Sequence, residues 1–331
     1  MSRLSMLSTG IKENTKLGRT RRALRRFYAQ RYLQLFAILG FVYMVIFSYL
    51  PMFGIQIAFK SFKPAMGFFG MFTAPLAPEN GFYHFNTFFR DPNFSTVMRN
   101  TLLLSLLKLT LSFPVPILFA LVINEMRGSF CKRIVQTVSY LPHFISWVIV
   151  YGLIFNFFNT SNGVINSLLQ MAGMEKIEFL TGREYYYTLA VVSDIWKEMG
   201  WWSIIFLAAI SGIDQTQYES ARVDGASRMR CIRSITLPNI SGTIIIVLIL
   251  SIGSLMAGGM GGSNFDQSYL MGNTVNYTRS VTLPYYIYEM GLTKFRFSYA
   301  TAIGLFQSLI SLFLVFTSNF VSQKLTGHSF F

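Results

Sequence analysis

Charged and metal-binding residues are scarce in this chain. Only 13% of its 331 residues are Asp, Glu, Lys or Arg, about half the share of a soluble domain. It has three histidines, and its two cysteines, Cys131 and Cys231, show no Cys-x-x-Cys or Cys/His spacing, so neither a disulfide nor a metal site is expected. The phosphate loop GxxxxGK[ST] and the GxSxG and HExxH motifs are also missing. These absences exclude ATP binding through a Walker motif and argue against an enzyme.

Apolar and aromatic residues take the place of the missing charge. Hydrophobic residues make up 52% of the chain, with 33 Phe and 17 Tyr, and such aromatics suit lipid and the headgroup region. The net charge is +14, but nine of the 28 Lys and Arg precede residue 32. We therefore interpret residues 1–32 as a basic cytoplasmic tail beside anionic lipid, and not as a nucleic-acid-binding arm. The composition indicates an integral membrane protein.

The hydropathy pattern predicts one membrane domain, residues 33–331, with six spans of the length that a bilayer requires. Seventeen Lys and Arg fall on the side that contains both termini and nine on the other, with two inside spans. Because positive residues concentrate in cytoplasmic loops, both termini are expected in the cytoplasm. The outer loop 55–100 contains a stretch rich in Gly, Pro and aromatics, residues 64–85, which predicts an ordered cap. The predicted spans are 33–54, 101–123, 135–158, 186–211, 240–260 and 298–321.

Ionisable residues inside the fourth predicted span form one helical face. Asp194 precedes Lys197 by three residues and Glu198 by four, so the three side chains share a side of the helix. Either this face lines a polar pathway, or an Asp–Lys pair fixes the helix against a neighbour. The nearby Trp196 and Trp201 are compatible with an aromatic belt or with a sugar-stacking surface.

The second predicted span contains Lys108 followed by Pro114 and Pro116. Prolines remove backbone donors and leave carbonyls that need partners, which predicts a broken helix in the interior of the bundle. Lys108 is a candidate pathway residue, or it pairs with a carboxylate such as Asp194 or Glu198.

The loop between the fourth and fifth spans, 212–239, reads DQTQYESARVDGASRMRCIRSITLPN from residue 214 to its end. Tyr218, Ala221, Gly225 and Met229 recur at three- and four-residue spacing, which predicts one helical stripe of mostly small residues. An interfacial helix on lipid would carry Leu or Phe there, so the stripe favours docking in a protein groove. Pro238 is expected to end the segment. The surrounding arginines are Arg222, Arg228, Arg230 and Arg233.

The same loop resembles the EAA loop of ABC-importer permeases. That consensus has EAA, then DGA after two residues, then I-x-LP after eight more, and every spacing is present here with Ser220 in place of the first Ala. Residues 48–64, 100–125, 140–150, 193–214 and 297–316 also resemble the LplB-like branch of carbohydrate permeases, whose members import oligosaccharides derived from polysaccharides. The matching loop residues are Glu219, Ala221, Asp224, Gly225, Ala226, Ile235, Leu237 and Pro238.

The resemblance implies an all-α fold of the type I importer permease kind (MalF/MetI-like), with six transmembrane helices and a cytoplasmic coupling helix between the fourth and fifth. It also implies a bacterial inner-membrane location and an assembly with a second homologous permease, two cytoplasmic ATPases and an extracytoplasmic solute-binding protein. ATP and Mg²⁺ would then be bound by the ATPases, and this chain would need no cofactor. A permease for a peptide or amino acid, or a stand-alone secondary transporter, is the alternative function.

Carried over by residue, the resemblance assigns ATPase coupling to the EAA-like loop. Gly225 would allow a tight turn and close approach of the ATPase, and Arg222 would face its acidic groups. The full set expected to take part in coupling is Glu219, Ala221, Arg222, Asp224, Gly225, Ala226, Leu237 and Pro238. The resemblance places the substrate pathway among spans two to six, with Lys108, Asp194, Trp196, Lys197, Glu198 and Trp201 as candidates for contact with a neutral or an acidic oligosaccharide.

Overall fold

The computed structural model describes residues 29–327, so residues 1–28 of the predicted basic tail lie outside the described part. The chain divides into two units, Met1–Gln56 and Ile57–Phe331. The described part of the first unit is helical. Helix α1 continues through a π-helical turn into a short helix α2. Together with the 3₁₀ segment that follows, they form the 29-residue apolar segment Arg31–Phe59, which has a mean hydropathy of 2.1 and contains the predicted first span. The bounds are α1 Arg31–Met44, the π turn Val45–Tyr49, α2 Leu50–Met52 and the 3₁₀ segment Phe53–Phe59.

The second unit is also helical, and the described residues contain no strand beyond one isolated antiparallel bridge between Lys60 and Leu76. Its α-helices are α3 Gly70–Thr73, α4 Tyr83–Phe89, α5 Phe94–Leu107, α6 Pro114–Glu125, α7 Ser129–Tyr140, α8 Trp147–Phe158, α9 Val164–Met171, α10 Tyr186–Ser211, α11 Gln215–Val223, α12 Arg228–Cys231, α13 Leu237–Gly253, α14 Asn264–Met271, α15 Tyr277–Ser280, α16 Leu283–Tyr288 and α17 Phe297–Thr326. Further π turns are Lys108–Ser112, Ile232–Thr236 and Glu289–Thr293, and 3₁₀ turns are Pro64–Met66, Glu79–Gly81, Leu141–Phe144, Leu255–Ala257 and Gly259–Gly261.

Four helical segments of the described chain are long and apolar enough to cross a membrane. They contain the predicted spans 33–54, 101–123 and 298–321, and the larger part of 240–260. The fifth predicted span is too long at its end, because α13 stops at Gly253 and the glycine-rich residues that follow form 3₁₀ turns. The four segments are Arg31–Phe59, Phe94–Glu125, Arg228–Gly253 and Phe297–Lys324.

The other two predicted spans have a different form. Residues 135–158 are not one straight helix, because Ser129–Phe144 and Trp147–Phe158 meet at 102°. Ile145 and Ser146 are extended at the bend, and the Ser146 hydroxyl accepts a hydrogen bond from Ile149 N at 3.4 Å to begin α8. The helix α10 has 26 residues, about 39 Å in length, which is enough for a bilayer core although three buried charges lower its hydropathy.

Three prolines follow π-helical turns at the same distance. Pro51, Pro114 and Pro238 each lie two residues after such a turn ends. Proline lacks an N–H and its ring clashes with the carbonyl four residues earlier, and the wider π turn accommodates both defects. The predicted break in the second span is therefore a π turn, closed by Phe113 N donating to Lys108 O at 3.1 Å.

The core of the second unit consists of three groups of buried side chains, and α10 contributes to two of them. Phe206 and Ile210 pack with residues of α6 and α13, and Tyr186 and Ala190 pack with residues of α5, α8 and α14. The third group joins α4 and α5 to α16 and α17 around Tyr286. As a result, α10 is the central helix against which the polar residues described below are arranged.

Candidate functional site

The EAA-like loop begins with a capped helix. The Asp214 carboxylate accepts a hydrogen bond from Thr216 N at 3.0 Å and so satisfies one of the free donors at the start of α11. The backbone and the side chain of Thr216 hold the pKa of Asp214 below its usual value. This carboxylate therefore stays charged at neutral pH, which suits the N-terminal end of a helix.

The helix α11 ends in a Schellman motif centred on Gly225. Ala226 N donates to Ala221 O at 2.8 Å and Gly225 N donates to Arg222 O at 3.0 Å, which is the hydrogen-bond pair of that motif. Gly225 has a φ of +76°, and a Cβ there would meet nothing within 4 Å in this chain. Glycine is thus required here by backbone conformation and not by packing inside the chain.

This turn contradicts the prediction of one continuous stripe. Tyr218 and Ala221 lie on α11, whereas Met229 lies on α12 after the reversal at Gly225. Pro238 does not end the segment either, because α12, the π turn and α13 form one helical segment, Arg228–Gly253. The residues expected to act in coupling therefore fall on two helices and the turn that connects them.

Two side-chain hydrogen bonds join α11 to the start of the next helical segment. Tyr218 and Thr236 have their hydroxyl oxygens 2.9 Å apart, and Asn239 Nδ2 donates to Gln217 Oε1 at 3.0 Å. Thr236 is buried and lies in the π turn before Pro238. These two hydrogen bonds are direct contacts between α11 and the residues at the start of α13.

The surface around the turn is open and basic. Val223 and Met229 are 88% and 56% exposed. A cavity of about 740 Å³ lies beside α11 and is lined by three arginines and one carboxylate among other residues. The charged lining residues are Arg127, Arg222, Arg228 and Glu125.

A second cluster lies deep in the helices and is centred on Lys108. The Lys108 ammonium donates to Ser263 Oγ at 2.6 Å and to Asn264 Oδ1 at 2.9 Å, and it lies 3.7 Å from Asp194 Oδ1. Ser263 in turn donates to Asp194 at 2.6 Å, and Asn264 donates to Ser105 at 2.9 Å. The Lys108 and Asp194 side chains are 2% and 4% exposed, so this ion pair is closed to a ligand in the structure.

The other two charges of α10 pair with each other and with a neighbouring turn. Lys197 lies 3.3 Å from Glu198 and donates to the carbonyl of His143 at 2.6 Å. The imidazole Nδ1 of His143 lies 2.8 Å from Glu198, and its ring stacks on Trp201 at 4.4 Å. An Asp194–Lys197 pair, one of the two sequence interpretations, is not formed, because Asp194 turns to Lys108.

The structure thus separates the six predicted pathway residues into three groups. Lys108 and Asp194 belong to the closed cluster, and Lys197, Glu198 and Trp201 meet around His143. Trp196 lies elsewhere, 40% exposed, in an apolar cavity of about 360 Å³ between α8 and α10.

Sequence reasoning missed His143, Ser263 and Asn264. No local pattern marks them, although His143 next to Pro142 in a predicted span was an available signal of a polar residue within the membrane.

Glycines allow the segment 258–262 to approach this network. A Cβ at Gly258 would lie 2.8 Å from Asn264 Oδ1, and one at Gly261 would lie 3.0 Å from Asp194 Oδ1. Gly258 also has a φ of +114°, which disfavours any side chain there. The glycine-rich end of the fifth predicted span is thus fitted around the Lys108 cluster.

No group of three or more His, Cys, Asp or Glu side chains in residues 29–327 has the arrangement of a metal site. The free side chains Cys131 and Cys231 are exposed and partly exposed, respectively.

The chain matches the family model described as the inner membrane component of binding-protein-dependent transport systems, over residues 112–327. It is 42% identical to the protein LplB of Bacillus subtilis over 301 residues, which is 91% of each chain. It is 40% identical to YteP of the same species, described as a polygalacturonan/rhamnogalacturonan transport system permease protein, over 93% of each chain.

A similar crystal structure is that of a chain from a bacterial ABC transporter involved in import of the acidic polysaccharide alginate. It superposes with a TM-score of 0.81 and 37% identity, covering 92% of this chain and 99% of that one. Another structure of a bacterial alginate ABC transporter, in complex with an alginate pentasaccharide-bound periplasmic protein, also has a TM-score of 0.81, with 36% identity. The chain is therefore a transport component and not an enzyme, and it belongs to the family of inner membrane components of binding-protein-dependent transport systems.

Proposed function

We propose that the chain is a permease subunit of an ATP-driven importer of oligosaccharides released from polysaccharides. The observation that carries this function is the match over more than nine-tenths of the chain to a permease protein of a polygalacturonan/rhamnogalacturonan transport system. The alginate transporter with its periplasmic saccharide-binding protein supports the same class of cargo and an external binding protein as partner. A second, homologous permease and two ATPases complete the proposed assembly.

The proposed coupling element is α11 together with the Gly225 turn and α12. Val223 and Met229 are apolar and exposed on both sides of the turn, as expected of a surface that docks in a groove of the ATPase. Arg222 lies beside them for contact with acidic groups. The hydrogen bonds between Tyr218 and Thr236 and from Asn239 to Gln217 then transmit movement of the ATPase into the fifth span.

Six membrane crossings account best for the helices. In this proposal, the bent pair α7–α8 and the charged helix α10 cross together with the four apolar segments. The charged side chains of α10 are tolerated because they are buried and paired inside the protein. Both termini then lie in the cytoplasm, in agreement with the distribution of Lys and Arg.

The proposed substrate pathway passes beside Trp201, which belongs to the group of residues around His143. Trp201 is 37% exposed and its stacking on His143 leaves an aromatic surface for a sugar ring. Lys108 and Asp194 serve a different role in this proposal, since both are closed off. They hold the glycine-rich segment 258–262 and thereby fix one conformation of the pathway.

The test is import of oligosaccharide by the reconstituted assembly with substitutions at Gly225. The importer with its ATPases, second permease and binding protein is expected to take up oligogalacturonides and to lose uptake with Gly225→Asp, while the ATPases still hydrolyse ATP. Gly225→Asn separates two reasons for this loss, because Asn adopts the left-handed conformation more readily than other side chains. Uptake lost with Asn as well as Asp would show that the ATPase needs the close approach itself.

Gly212→Ala is the matched control at the other end of the loop. Gly212 has an ordinary helical φ of −83°, and a Cβ there would meet its nearest atom at 3.5 Å, an ordinary contact. Uptake should therefore survive this change. If Gly225→Asp imports as well as the unsubstituted chain, the coupling role fails; if the unsubstituted assembly takes up no oligosaccharide, the proposed cargo fails.

A further inference from the structure

Four aromatic rings from two helices lie together outside the sites described above. Phe265 and Tyr269 of α14 are stacked, with ring centroids 5.8 Å apart and planes at 11°. Tyr288 of α16 lies 5.4 Å from each of them, and Tyr285 lies 6.4 Å from Tyr288 with planes at 26°. We call these four residues the aromatic platform.

The platform is on the side of α14 that faces away from the core. Asn264, Gln267, Ser268 and Met271 form the buried side of this helix. Phe265 and Tyr269, four residues apart, therefore project from the opposite side. Tyr269 is 51% exposed, so the core does not use this surface.

A carboxylate lies beside the platform. Glu289 follows Tyr285 by four residues, and burial together with the negative charge of Glu289 raises the pKa of that tyrosine. Glu289 also lies 2.9 Å from the ammonium of Lys294 and accepts a hydrogen bond from the Tyr277 hydroxyl at 2.9 Å. Ionised carboxylates are costly next to hydrocarbon, so this surface suits water or a polar ligand better than lipid.

Aromatic rings beside a carboxylate match the chemistry of a sugar ring. The face of a pyranose ring presents C–H groups that pack on an aromatic ring, and its edge presents hydroxyl groups that donate to carboxylates.

We propose that Phe265, Tyr269, Tyr285 and Tyr288 form a stacking subsite for sugar rings of the transported oligosaccharide. This inference rests on the proposed function and adds a place of contact to it. Acidic and neutral sugars share the ring face on which the stacking depends, and the experiment distinguishes between them.

Cysteine labelling from outside tests the subsite in cells that express the complete importer. Cys131 and Cys231 are first replaced by Ser, and Tyr269→Cys then supplies the one thiol on the platform. A charged, membrane-impermeant thiosulfonate is expected to modify it, and the oligosaccharide that the importer takes up is expected to slow this modification several-fold. The saccharides are oligogalacturonides and arabino-oligosaccharides, and whichever of them protects the thiol identifies the acidic or the neutral class.

Two matched positions provide the controls. Leu292→Cys lies in the same outer region and is 58% exposed, so it should be modified without protection by saccharide. Phe313→Cys on α17 is 68% exposed among apolar neighbours in a span and should resist the charged reagent. If the platform faces lipid, Tyr269→Cys will resist the reagent as Phe313→Cys does. If the second permease covers the platform, Tyr269→Cys will be modified only when this chain is expressed without that permease. Either result overturns the proposal.

Ring substitutions give an independent readout. Tyr269→Ala is expected to lower the initial import rate about fivefold, which corresponds to the loss of one stacking contact, whereas Tyr269→Phe keeps the ring and the rate. Suppose that the importer takes up a saccharide that does not protect Tyr269→Cys and whose import rate is unchanged by Tyr269→Ala. In that case the stacking subsite is overturned and the proposed function is not. If the unsubstituted importer takes up neither saccharide, the proposed function is overturned and the platform with it.

Discussion

Replacing Lys108 by Met removes the charge at the centre of the buried polar cluster. The ammonium makes two hydrogen bonds, at 2.6 Å to Ser263 and 2.9 Å to Asn264, and lies 3.7 Å from Asp194. Met fills a similar volume but offers no donor. The Asp194 carboxylate then stays buried with Ser263 as its remaining donor. Asn264 Oδ1 loses the hydrogen bond that it accepts from Lys108.

The loss of stability in Lys108→Met comes from the unpaired, buried Asp194 carboxylate and not from lost packing. Removing one partner of a buried ion pair destabilises a protein by about 3–5 kcal/mol, whereas an exposed pair is worth about 0–1 kcal/mol. The double substitution Lys108→Met with Asp194→Asn leaves no unpaired charge. We expect it to cost less than the sum of the two single substitutions by roughly 1–3 kcal/mol.

The assay is unfolding of the purified full chain in detergent by titration with sodium dodecyl sulfate, followed by tryptophan fluorescence. Lys294→Met is the matched control, because Lys294 pairs with Glu289 at 2.9 Å but has a side chain that is 48% exposed. If Lys108→Met changes the free energy of unfolding no more than Lys294→Met does, or if the two cluster substitutions are additive, the ion pair is not the stabilising feature described here.

Three further changes test other contacts. A Cβ at Gly200 would overlap the carbonyl oxygen of Ser139. Gly200→Ala should therefore destabilise the chain by about 1–3 kcal/mol in the same titration. An unchanged midpoint of unfolding would contradict the close packing of α7 on α10. Burial tends to raise the pKa of Asp91, but hydrogen bonds from Asn93 and from two tyrosine hydroxyls lower it overall. The ionised Asp91 carboxylate therefore stabilises the folded chain fully above the ordinary pKa of 3.8, and this stabilisation is lost as the pH falls below that value. Asp91→Asn should therefore cost roughly 1 kcal/mol at pH 7, and a difference from the unsubstituted chain that persists in strong acid would refute this assignment. Tyr218→Phe should reduce oligosaccharide import without reducing ATPase binding, since it removes one link between α11 and α13; equal loss of both would indicate misfolding.

The sequence predicted the EAA-like loop well in position but less well in shape. Periodicity suggested one stripe through Gly225, yet an Asp-Gly pair after a helical segment is also a signal for a left-handed cap. The structure forms the cap, because the two hydrogen bonds from Gly225 and Ala226 satisfy carbonyls that α11 would otherwise leave free. The glycine was correctly identified as essential to the turn, and its role in docking stays a prediction.

Hydropathy also predicted the spans correctly in some places and wrongly in others. Apolar runs located closely the four segments that are long and apolar enough to cross a membrane. They did not predict the bend at residues 145–146 or the end of the helix at Gly253. At the first place a proline turn and two extended residues bend the chain, and at the second successive glycines favour 3₁₀ turns. Hydropathy averages over about 20 residues, so it does not register a bend produced by two of them.

What the sequence determined by itself was the membrane class of the chain, its family and the position of the EAA-like loop. These depend on composition and on fixed spacing, which are properties of the linear chain. Which charge Lys108 meets was decided only by the tertiary structure, since both Asp194 and Glu198 were available partners in the sequence. Ser263 and Asn264, more than 150 residues away, come within hydrogen-bond distance of it because α5, α10 and the glycine-rich segment pack together. A buried ammonium must find acceptors wherever the packed helices supply them, and that choice is made in three dimensions.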